Sequence, residues 1–494
     1  MEINLIDTTF RDGSQSLWAS GMRTGMMESV ADDMDRAGYG AVEVPVIPIF
    51  FKKFVRDLKE DPWEMARMLG EKMPNTIKGC MGGPFIQPFE LASSEPSVVK
   101  LFFERLIATG ALNRIQIMAN IFGRLDKSFP WYIPFLRNQG VEIALALSYT
   151  ISPRHTDDYY AEKTRELAAM KPNVIYLKDQ GGLLTIDRIR TLLPIILNNA
   201  NNIPVEVHSH CTTGLAESVY MEALKLGART LHTAIPPLAD GSSQPSVFST
   251  IQNAKYHGYT SNLDIERVKK VSERLFEMGK EEKMPVGAPL QYDYSQYIYQ
   301  IPGGVISNLK HQLKQLNLEE RLDEVLEETV RVRQELGYPV MITPYSQFVV
   351  SQSALNVATG ERYQIIIDEL IQFAQGTFSE DSGYTWMDQN LRDRILSLPR
   401  AKELQIHQDK DTPIHKIKEQ FGGPHLSDEE FLLRYIMKGT QEIEAMRMAG
   451  PYKKYFSASM PILNLLDKLG KSKVTHVEIK SQDSLLVLKR KTHI

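Results

Sequence analysis

The sequence lacks the features that mark several large classes of protein. Its 494 residues include only two cysteines, Cys80 and Cys211, and no CxxC motif, so a disulfide framework is excluded and a reducing compartment is expected. It has no run of about 18 or more apolar residues, so no membrane-spanning helix is predicted. The net charge of −4 gives no support to nucleic-acid binding or to a polybasic membrane anchor. The N-terminus is unlike a signal peptide, and we expect a cytoplasmic protein.

The composition is otherwise that of a globular enzyme, with 43% hydrophobic and 24% charged residues. Eight short apolar segments alternate with longer amphipathic ones, at residues 3–7, 41–46, 76–80, 114–119, 142–148, 173–178, 205–210 and 230–235. They are apolar on both faces, which is typical of parallel strands buried under helices. Eight βα units over about 250 residues predict an α/β fold of the (β/α)8 TIM-barrel type. A doubly wound open sheet is the alternative, but it rarely needs eight consecutive units.

The pattern changes after the predicted barrel. Four segments then read as helices, at residues 262–283, 318–336, 345–376 and 385–398. The last part of the chain predicts a short helix at 460–469 and a β-hairpin of two strands, 474–479 and 485–488. The predicted domains are a metal-binding barrel, a mostly α-helical domain completing the cleft and a C-terminal helix plus hairpin, at residues 1–260, 261–450 and 451–494.

Two histidines end the seventh predicted strand. His208 and His210 lie in the segment VEVHSH, and residues i and i+2 of a strand point the same way. They lie at the C-terminal end of the strand, where the active sites of barrel enzymes are found. The pair therefore indicates either a metal site or two hydrogen-bonded histidines in a polar barrel mouth.

Further polar groups follow strands 1 and 6. Asp12 offers a hard oxygen ligand beside Arg11, which could stabilise an oxyanion, although the two could simply form an ion pair. Lys178 ends strand 6, where burial lowers the pKa of its amine and permits Schiff-base, general-base or carbamate chemistry. Its alternative role is an ion pair with Asp179. If Lys178 carries CO2 as a carbamate, these groups and the two histidines suit Zn²⁺, with Mn²⁺ or Co²⁺ as alternatives.

Six segments carry a resemblance to a known family, in the order DTTFRDGSQSLWAS, YTISPRHT, YLKDQGGLL, HSHCTTGLAE, IPGGVISNL and ITPYSQFVVSQSALNV. They resemble the biotin-dependent carboxyltransferases. Members of this family include the carboxyltransferase domains of pyruvate carboxylase, the α-subunits of oxaloacetate decarboxylase and the metal-containing subunit of transcarboxylase. The resemblance runs from residue 2 to about 450 and implies a metal-bearing barrel followed by a helical domain.

The resemblance also implies roles for individual residues. The implied metal ligands are Asp12, carbamylated Lys178, His208 and His210. Arg11 and Gln15 would face the substrate, and Ser307 would shuttle a proton between biotin and substrate. The implied protein is the carboxyltransferase subunit of a biotin-dependent carboxylase or decarboxylase. It would move CO2 between carboxybiotin and an enolisable carbonyl compound, either pyruvate- or oxaloacetate-like or a divergent acceptor.

Three strand ends depart from the family pattern. Strand 2 ends in EVPV where the family has Trp-Gly-Gly, and strand 4 reads IQIMAN where the family has Phe-Asp. Strand 3 reads GCMGGP and lacks the family's arginine that clamps a keto-acid carboxylate. A more apolar acceptor pocket is expected, formed near Val46, Met81 and Met118. The alternative is that another cation replaces the arginine, with three candidates in Lys78, Arg114 and Arg124.

Partners are expected from the same resemblance. No Met-Lys-Met biotin-accepting motif is present, so biotin is expected on another chain or on a segment absent here. A biotin carboxyl carrier protein, a biotin carboxylase subunit and a homo-oligomeric assembly are expected. The segment THVEIKSQDSLLVLKRK either resembles the stretch preceding a biotinyl domain or is a surface hairpin. Two other functions stay open, a biotin-independent aldolase or lyase of the HMG-CoA-lyase-like barrels and a non-catalytic scaffold.

Overall fold

The computed structural model describes most of the chain, with gaps at residues 87–94, 120–127, 302–304, 306–308, 310–312, 314–318, 379, 405–411, 457–464, 467–468, 470–473, 475, 481–484 and 490–494. The chain divides into two compact units, Met1–Tyr452 and Lys453–Ile494. The boundary predicted near residue 260 falls inside the first unit and stays a prediction.

Eight parallel strands close into a barrel in sequence order. They are β1 Asn4–Asp7, β2 Ala41–Glu43, β3 Lys78–Met81, β4 Arg114–Met118, β5 Glu142–Ser148, β6 Val174–Asp179, β7 Val205–Ser209 and β8 Thr230–Thr233. Strand β1 pairs with both β2 and β8, so the barrel has no open edge. The predicted TIM-barrel fold is confirmed, and the doubly wound alternative is wrong.

Among the described residues, ten α-helices accompany the barrel: α1 Ser14–Leu17, α2 Thr24–Arg36, α3 Pro48–Lys53, α4 Pro62–Lys72, α5 Pro96–Ala108, α6 Phe129–Asn138, α7 Asp157–Ala169, α8 Ile186–Asn199, α9 Ala216–Lys225 and α10 Val247–Tyr256. Several begin at a side chain that accepts a hydrogen bond from a free backbone N–H, as Thr156 does for α7 and Thr185 for α8. These caps end the loops that leave the C-terminal ends of β5 and β6.

The helical region follows: α11 Ile265–Glu281, α12 Ser295–Tyr299, α13 Leu322–Glu335, α14 Tyr345–Thr359, α15 Asp368–Ala374, α16 Gln389–Leu396, α17 Pro399–Glu403, α18 Ile414–Gln420, α19 Asp428–Met437 and α20 Gln441–Ala449. The single helix expected over 345–376 is two helices, which is a correction. Gly360 follows α14 with a φ of 74°, a left-handed conformation that terminates helices and favours glycine. None of the described helices has the length and hydropathy needed to cross a bilayer.

The helical region packs against the barrel beside β4, β5 and β6. Met118 and Tyr176 of the barrel share one buried apolar cluster with Phe348 of α14. Arg333 of α13 is also buried, and its Nη2 donates a hydrogen bond to Thr150 Oγ1 at 3.0 Å, just after β5. Because these contacts lie on the C-terminal side of the barrel, the helical region covers part of the mouth where the polar strand ends converge.

The second unit contains an antiparallel hairpin of β9 His476–Lys480 and β10 Leu485–Lys489. Its two strands agree with the predicted hairpin, and the helix predicted at 460–469 lies mostly outside the described residues. The register pairs Leu486 with Ile479 and Leu488 with Val477, and paired residues share a face. One face of the hairpin is therefore entirely apolar, although Ile479 is 44% exposed.

Candidate metal centre

The metal-ligand candidate Asp12 is carried by a tight turn after β1. One turn of π-helix follows β1, and its first residue, Thr9, donates from Oγ1 to Asp7 Oδ1 at 2.5 Å. Gly13 closes the turn, where a Cβ would lie 2.8 Å from the backbone oxygen of Leu238. Only glycine permits this close approach, so the local sequence places the Asp12 carboxylate over the barrel mouth.

Asp12 and the two histidines converge on one buried point. His208 Nε2 lies 3.4 Å from Asp12 Oδ2, and His210 Nε2 lies 3.6 Å from Asp12 Oδ1. The three side chains are at most 10% exposed, and their ligand atoms lie within 4.8 Å of one another. Bonds of about 2.0–2.2 Å around a tetrahedral ion place ligand atoms roughly 3.4 Å apart, so the spacing suits a single divalent ion.

Lys178 joins this group from β6. Its Nζ lies 3.1 Å from His208 Nε2 and 3.4 Å from Asp12 Oδ2. The expected alternative, an ion pair with Asp179, is wrong because that carboxylate accepts two backbone N–H bonds of 2.8 and 2.9 Å from the following turn. Burial lowers the pKa of Lys178, and nearby Arg11 adds to this while Asp12 opposes it. A larger fraction of neutral amine results, which is the form that can add CO2.

Both imidazoles present an unprotonated Nε2 to the site. His210 Nδ1 lies 2.7 Å from the carbonyl oxygen of Ser242, which can only accept, so Nδ1 carries the proton and Nε2 the lone pair. The carboxamide Nε2 of Gln244 donates to both His210 Nε2 and His208 Nε2, at 3.0 and 3.3 Å. Burial and the Lys178 charge hold the pKa of His208 well below its usual range, so its ring is neutral. Neutral imidazoles with free nitrogens are the form that binds metals.

Gln244 was not expected from the sequence. It lies in the loop after β8, and its Oε1 accepts a 2.6 Å hydrogen bond from Thr8 Oγ1. Only the closure of the barrel brings this loop beside β1 and β7, so no local sequence signal identifies it. Its amide holds the two Nε2 atoms in the arrangement in which one ion could bind both.

The carboxylate of Asp12 is ionised in this setting. Burial alone would raise the pKa of Asp12, but the neighbouring positive charges of Arg11 and Lys178 hold it well below its usual range. Arg11 Nη2 lies 2.9 Å from Asp12 Oδ2. The Arg11–Asp12 ion pair weighed from the sequence is therefore present, and it coexists with the convergence of the other ligand candidates.

Arg11 is held by a second carboxylate. Its Nε donates to Glu43 Oε2 at 2.8 Å, and its Nη2 contacts the same oxygen. Its Nη1 is 3.5 Å from Oε1 of Gln15, an exposed residue of α1. The Nη1 edge is therefore the part of this buried guanidinium that faces the mouth. Glu43 was noted from the sequence only as part of the altered strand 2, and its ionic role was missed.

The cations considered as substitutes for the missing arginine are placed elsewhere. Lys78 starts β3, and its Nζ donates to the backbone oxygen of Thr76 at 2.9 Å. Arg114 starts β4, and its Nη1 lies 3.1 Å from Glu142 Oε1. Both residues lie at the opposite end of the barrel from the metal-ligand candidates. Arg124, the third candidate, lies outside the described residues, as does Ser307.

The wall expected to hold the acceptor is apolar where it is described. Val46 is fully buried, Met118 is 4% exposed, and Met81 is partly buried against the apolar cluster shared with the helical region. Neither Val46 nor the two methionines can form an ion pair with a carboxylate. The described part of this wall therefore offers no bidentate clamp for a small dianion.

Comparison with known proteins identifies carboxylases and carboxyltransferases as similar to this chain. The model of a conserved carboxylase domain matches residues 297–488. The chain is 35% identical over 382 residues to a pyruvate carboxylase subunit of Methanocaldococcus jannaschii, covering 76% of this chain and 66% of that protein. It is 30% identical over 370 residues to the methylmalonyl-CoA carboxyltransferase 5S subunit of Propionibacterium freudenreichii subsp. shermanii. That match covers 73% of this chain and 70% of the relative. The chain thus spans slightly less than two thirds of the length of the first relative.

A solved structure supports the fold. The carboxyl transferase domain of Rhizobium etli pyruvate carboxylase, determined with 3-bromopyruvate, superposes with a TM-score of 0.78 at 22% identity. The match covers 91% of this chain and 78% of the solved chain. The likeness establishes that the barrel and the region following it share one fold with that domain.

Proposed function

The chain belongs to the family of biotin-dependent carboxyltransferases, and we propose on that basis that it moves CO2 between carboxybiotin and an enolisable carbonyl compound. The observation that carries the proposal is the convergence of Asp12, Lys178, His208 and His210 at the barrel mouth. Such a set offers two imidazole nitrogens, a carboxylate oxygen and an amine that can become an oxygen ligand as its carbamate.

The four groups would hold a divalent ion, with Zn²⁺ favoured over Mn²⁺ or Co²⁺ because two imidazoles and two oxygens suit it. When bound, the ion supplies Lewis-acid polarisation of a substrate carbonyl. Biotin, delivered by a carrier, supplies the transferable carboxyl group. The protein would orient the substrate, present the fixed positive charge of Arg11 and exclude water from the site.

The residues around the ion divide these tasks. Arg11 is held rigid by Glu43 and Asp12, so its remaining Nη1 edge would stabilise negative charge that develops on the substrate carbonyl oxygen. Gln15 lies next to that edge and would contact the substrate. Ser307 would move the proton from the carbon next to the carbonyl toward biotin, as the family resemblance implies. A new C–C bond to CO2 would then replace the C–H bond.

We propose that the acceptor is larger or less charged than pyruvate. The names of the two relatives already differ in acceptor, so the family leaves this choice open. The described wall contains Met118 and Val46 rather than a clamp, while the enolate machinery around Arg11 is retained. Losing a bidentate arginine costs a carboxylate ligand about 1.5–3 kcal/mol or more, so a small keto acid should bind weakly.

A screen of acceptors with a carboxylated biotin carrier tests both the proposed carboxyltransferase activity and the proposed change of acceptor. We expect carboxyl transfer to some carbonyl compound to require the carrier. We also expect kcat/KM for pyruvate or oxaloacetate to fall below about 10⁴ M⁻¹s⁻¹, an ordinary value for an enzyme on its own substrate. A value at or above that level would contradict the altered acceptor and leave the carboxyltransferase activity standing. Cleavage of an acceptor without any carrier would instead favour the lyase-type alternative.

The hairpin is proposed to contact a biotin carrier or biotin carboxylase chain. A two-stranded hairpin is marginal alone in water, so the apolar face formed with Ile479 and Leu486 needs a partner surface. Deletion of 460–494 is expected to weaken this association while metal content and barrel stability remain unchanged. Ile479→Ser with Leu486→Ser should weaken it at least about 30-fold, because the two large apolar anchors each contribute about 1 kcal/mol or more.

The opposite face supplies the matched control for this test. Val487 pairs with Glu478 there, and Val487→Ser makes the same kind of polar substitution on β10 but outside the apolar face. Sedimentation of mixtures with the carrier and the carboxylase would measure both variants. Normal assembly of the deleted protein would show that the hairpin is not the docking segment.

A further inference from the structure

A continuous chain of buried contacts leads from the bottom of the barrel to one metal-ligand candidate. Arg114 Nη2 lies 2.5 Å from Glu206 Oε2, and the same oxygen lies 2.9 Å from His232 Nε2. The other nitrogen of that ring, His232 Nδ1, is 3.1 Å from His208 Nδ1. The four side chains come from β4, β7 and β8, and each is at most 5% exposed.

The direction of each hydrogen bond follows from the chemistry of the groups. The oxygen of Glu206 that faces His232 also faces the guanidinium of Arg114, which can only donate, so this carboxylate is the acceptor for both neighbours. His232 therefore donates from Nε2, and its Nδ1 keeps a lone pair. His208 must then donate from Nδ1. The other nearby carboxylate, Glu43, has its Oε1 3.8 Å from His232 Nδ1, which is too long for a hydrogen bond.

The opposite side of His208 gives the same assignment independently. Two donors approach His208 Nε2, the Nζ of Lys178 at 3.1 Å and the amide Nε2 of Gln244 at 3.3 Å. An atom that accepts from both carries a lone pair, so the ring proton is on Nδ1. The ring plane of the intervening histidine is fixed as well, because Tyr176 stacks on His232 at 5.5 Å between centroids and 13° between planes.

We propose that Arg114, Glu206 and His232 are positioning residues that fix the tautomer and orientation of His208 for metal binding. The proposal rests on the proposed metal centre and adds residues that touch neither substrate nor ion. A buried carboxylate acting through the second ring also makes His208 Nε2 a stronger donor to a cation. His210 is oriented separately, by the backbone oxygen of Ser242, so the two imidazole ligands are controlled by different parts of the fold.

Zinc affinity of the full-length protein is the first measurement, made by competition with a chromogenic chelator. Glu206→Gln keeps the side-chain volume and the acceptor oxygen but removes the charge, and His232→Phe removes the acceptor for His208. Each is expected to weaken zinc binding about 10- to 100-fold, the usual effect of removing a partner of a metal-binding histidine. Glu142→Gln is the matched control, because Glu142 Oε1 lies 3.1 Å from Nη1 of the same Arg114 without bonding to His232. It should leave zinc affinity within about twofold.

The tautomer of His208 in the metal-free protein is the second measurement. ¹⁵N-histidine NMR, with the signal assigned through His208→Gln, should show the Nδ1–H form in the wild type and in Glu142→Gln. His232→Phe should lose the pure Nδ1–H signature. Zinc affinities equal to those of the control, or an unchanged tautomer in His232→Phe, would overturn the proposal. If the wild type binds no zinc, the proposed metal centre fails, whereas the tautomer measurement still decides the role of His232. If His232→Phe does not fold, the zinc affinity of the isosteric variant Glu206→Gln decides whether these residues position His208.

Discussion

Replacement of Lys178 by methionine is expected to remove the metal and to lower carboxyl transfer at least about 100-fold. Methionine fills the same buried volume beside His208 but cannot form a carbamate, so one of four proposed ligands is lost. Lewis-acid stabilisation by a metal contributes several kcal/mol to a transition state, and each 1.4 kcal/mol is about tenfold in rate. Metal analysis of the purified variant and an assay with carboxylated carrier measure the two effects.

Two further experiments distinguish the loss of the carbamate ligand from a general effect of losing a buried amine. Lys178→Glu supplies a carboxylate oxygen at the same place and should retain metal regardless of bicarbonate. The wild type should lose metal when CO2 is depleted and regain it when bicarbonate returns. The lowered pKa of Lys178, caused by burial, means that neutral amine and hence carbamate increase as pH rises, so loading should increase with pH.

Lys78→Met is the matched control for these variants. Lys78 is equally buried, but its amine contacts only backbone oxygens at the far end of the barrel. The Lys78→Met variant should have a lower free energy of unfolding than the wild type, and its metal content should be unchanged. Wild-type metal content and turnover in Lys178→Met would show that the lysine is not a ligand, whatever the fate of the other three residues.

Ser307→Ala is expected to reduce turnover by about 10²- to 10⁴-fold, the usual contribution of a positioned proton-transfer group. The change removes one hydroxyl, so metal content should be unaffected. The decisive pattern is therefore loss of kcat with full metal occupancy, which distinguishes this variant from Lys178→Met. Steady-state kinetics with carrier and metal analysis on the same preparation measure it.

Ser307→Thr is the conservative partner of this test. The family resemblance implies a serine or a threonine at this position, so we expect the threonine variant to recover much of the rate because it restores a hydroxyl. Recovery by threonine together with loss by alanine would indicate proton transfer rather than packing. Unchanged turnover in the alanine variant would place the proton relay on another residue.

Patterns within single strands predicted much of this architecture. The two-sided apolar segments identified all eight strands, because a strand buried under helices leaves the same signature wherever it occurs. The i, i+2 spacing of His208 and His210 likewise placed both rings on one side of β7. The break between α14 and α15 was missed, although Gly360 within the polar segment TGER is a sequence signal for the end of a helix.

The residues that support the site were harder to foresee. Glu206 is two residues before His208 on the same strand face, so its inward direction could have been predicted. Its partners could not, because His232 and Arg114 reach it across the inside of the closed barrel. Gln244 depends in the same way on ring closure. The periodicity of a sequence predicts the direction in which a side chain points. Predicting which distant side chains it contacts also requires the strand order and the register of the sheet.

The order of strands around the barrel has a consequence for the evolution of this chain. The proposed ion-binding groups come from β1, β6 and β7, whereas the altered acceptor wall comes from the ends of β2, β3 and β4. Substitutions at the ends of β2, β3 and β4 would therefore leave most of the proposed ion-binding groups in place, so the acceptor could change while the proposed chemistry is kept. Glu43 and Arg114 are exceptions. Glu43 ends β2 but holds Arg11, and Arg114 starts β4 but contacts Glu206, so both should be less free to change than their neighbours.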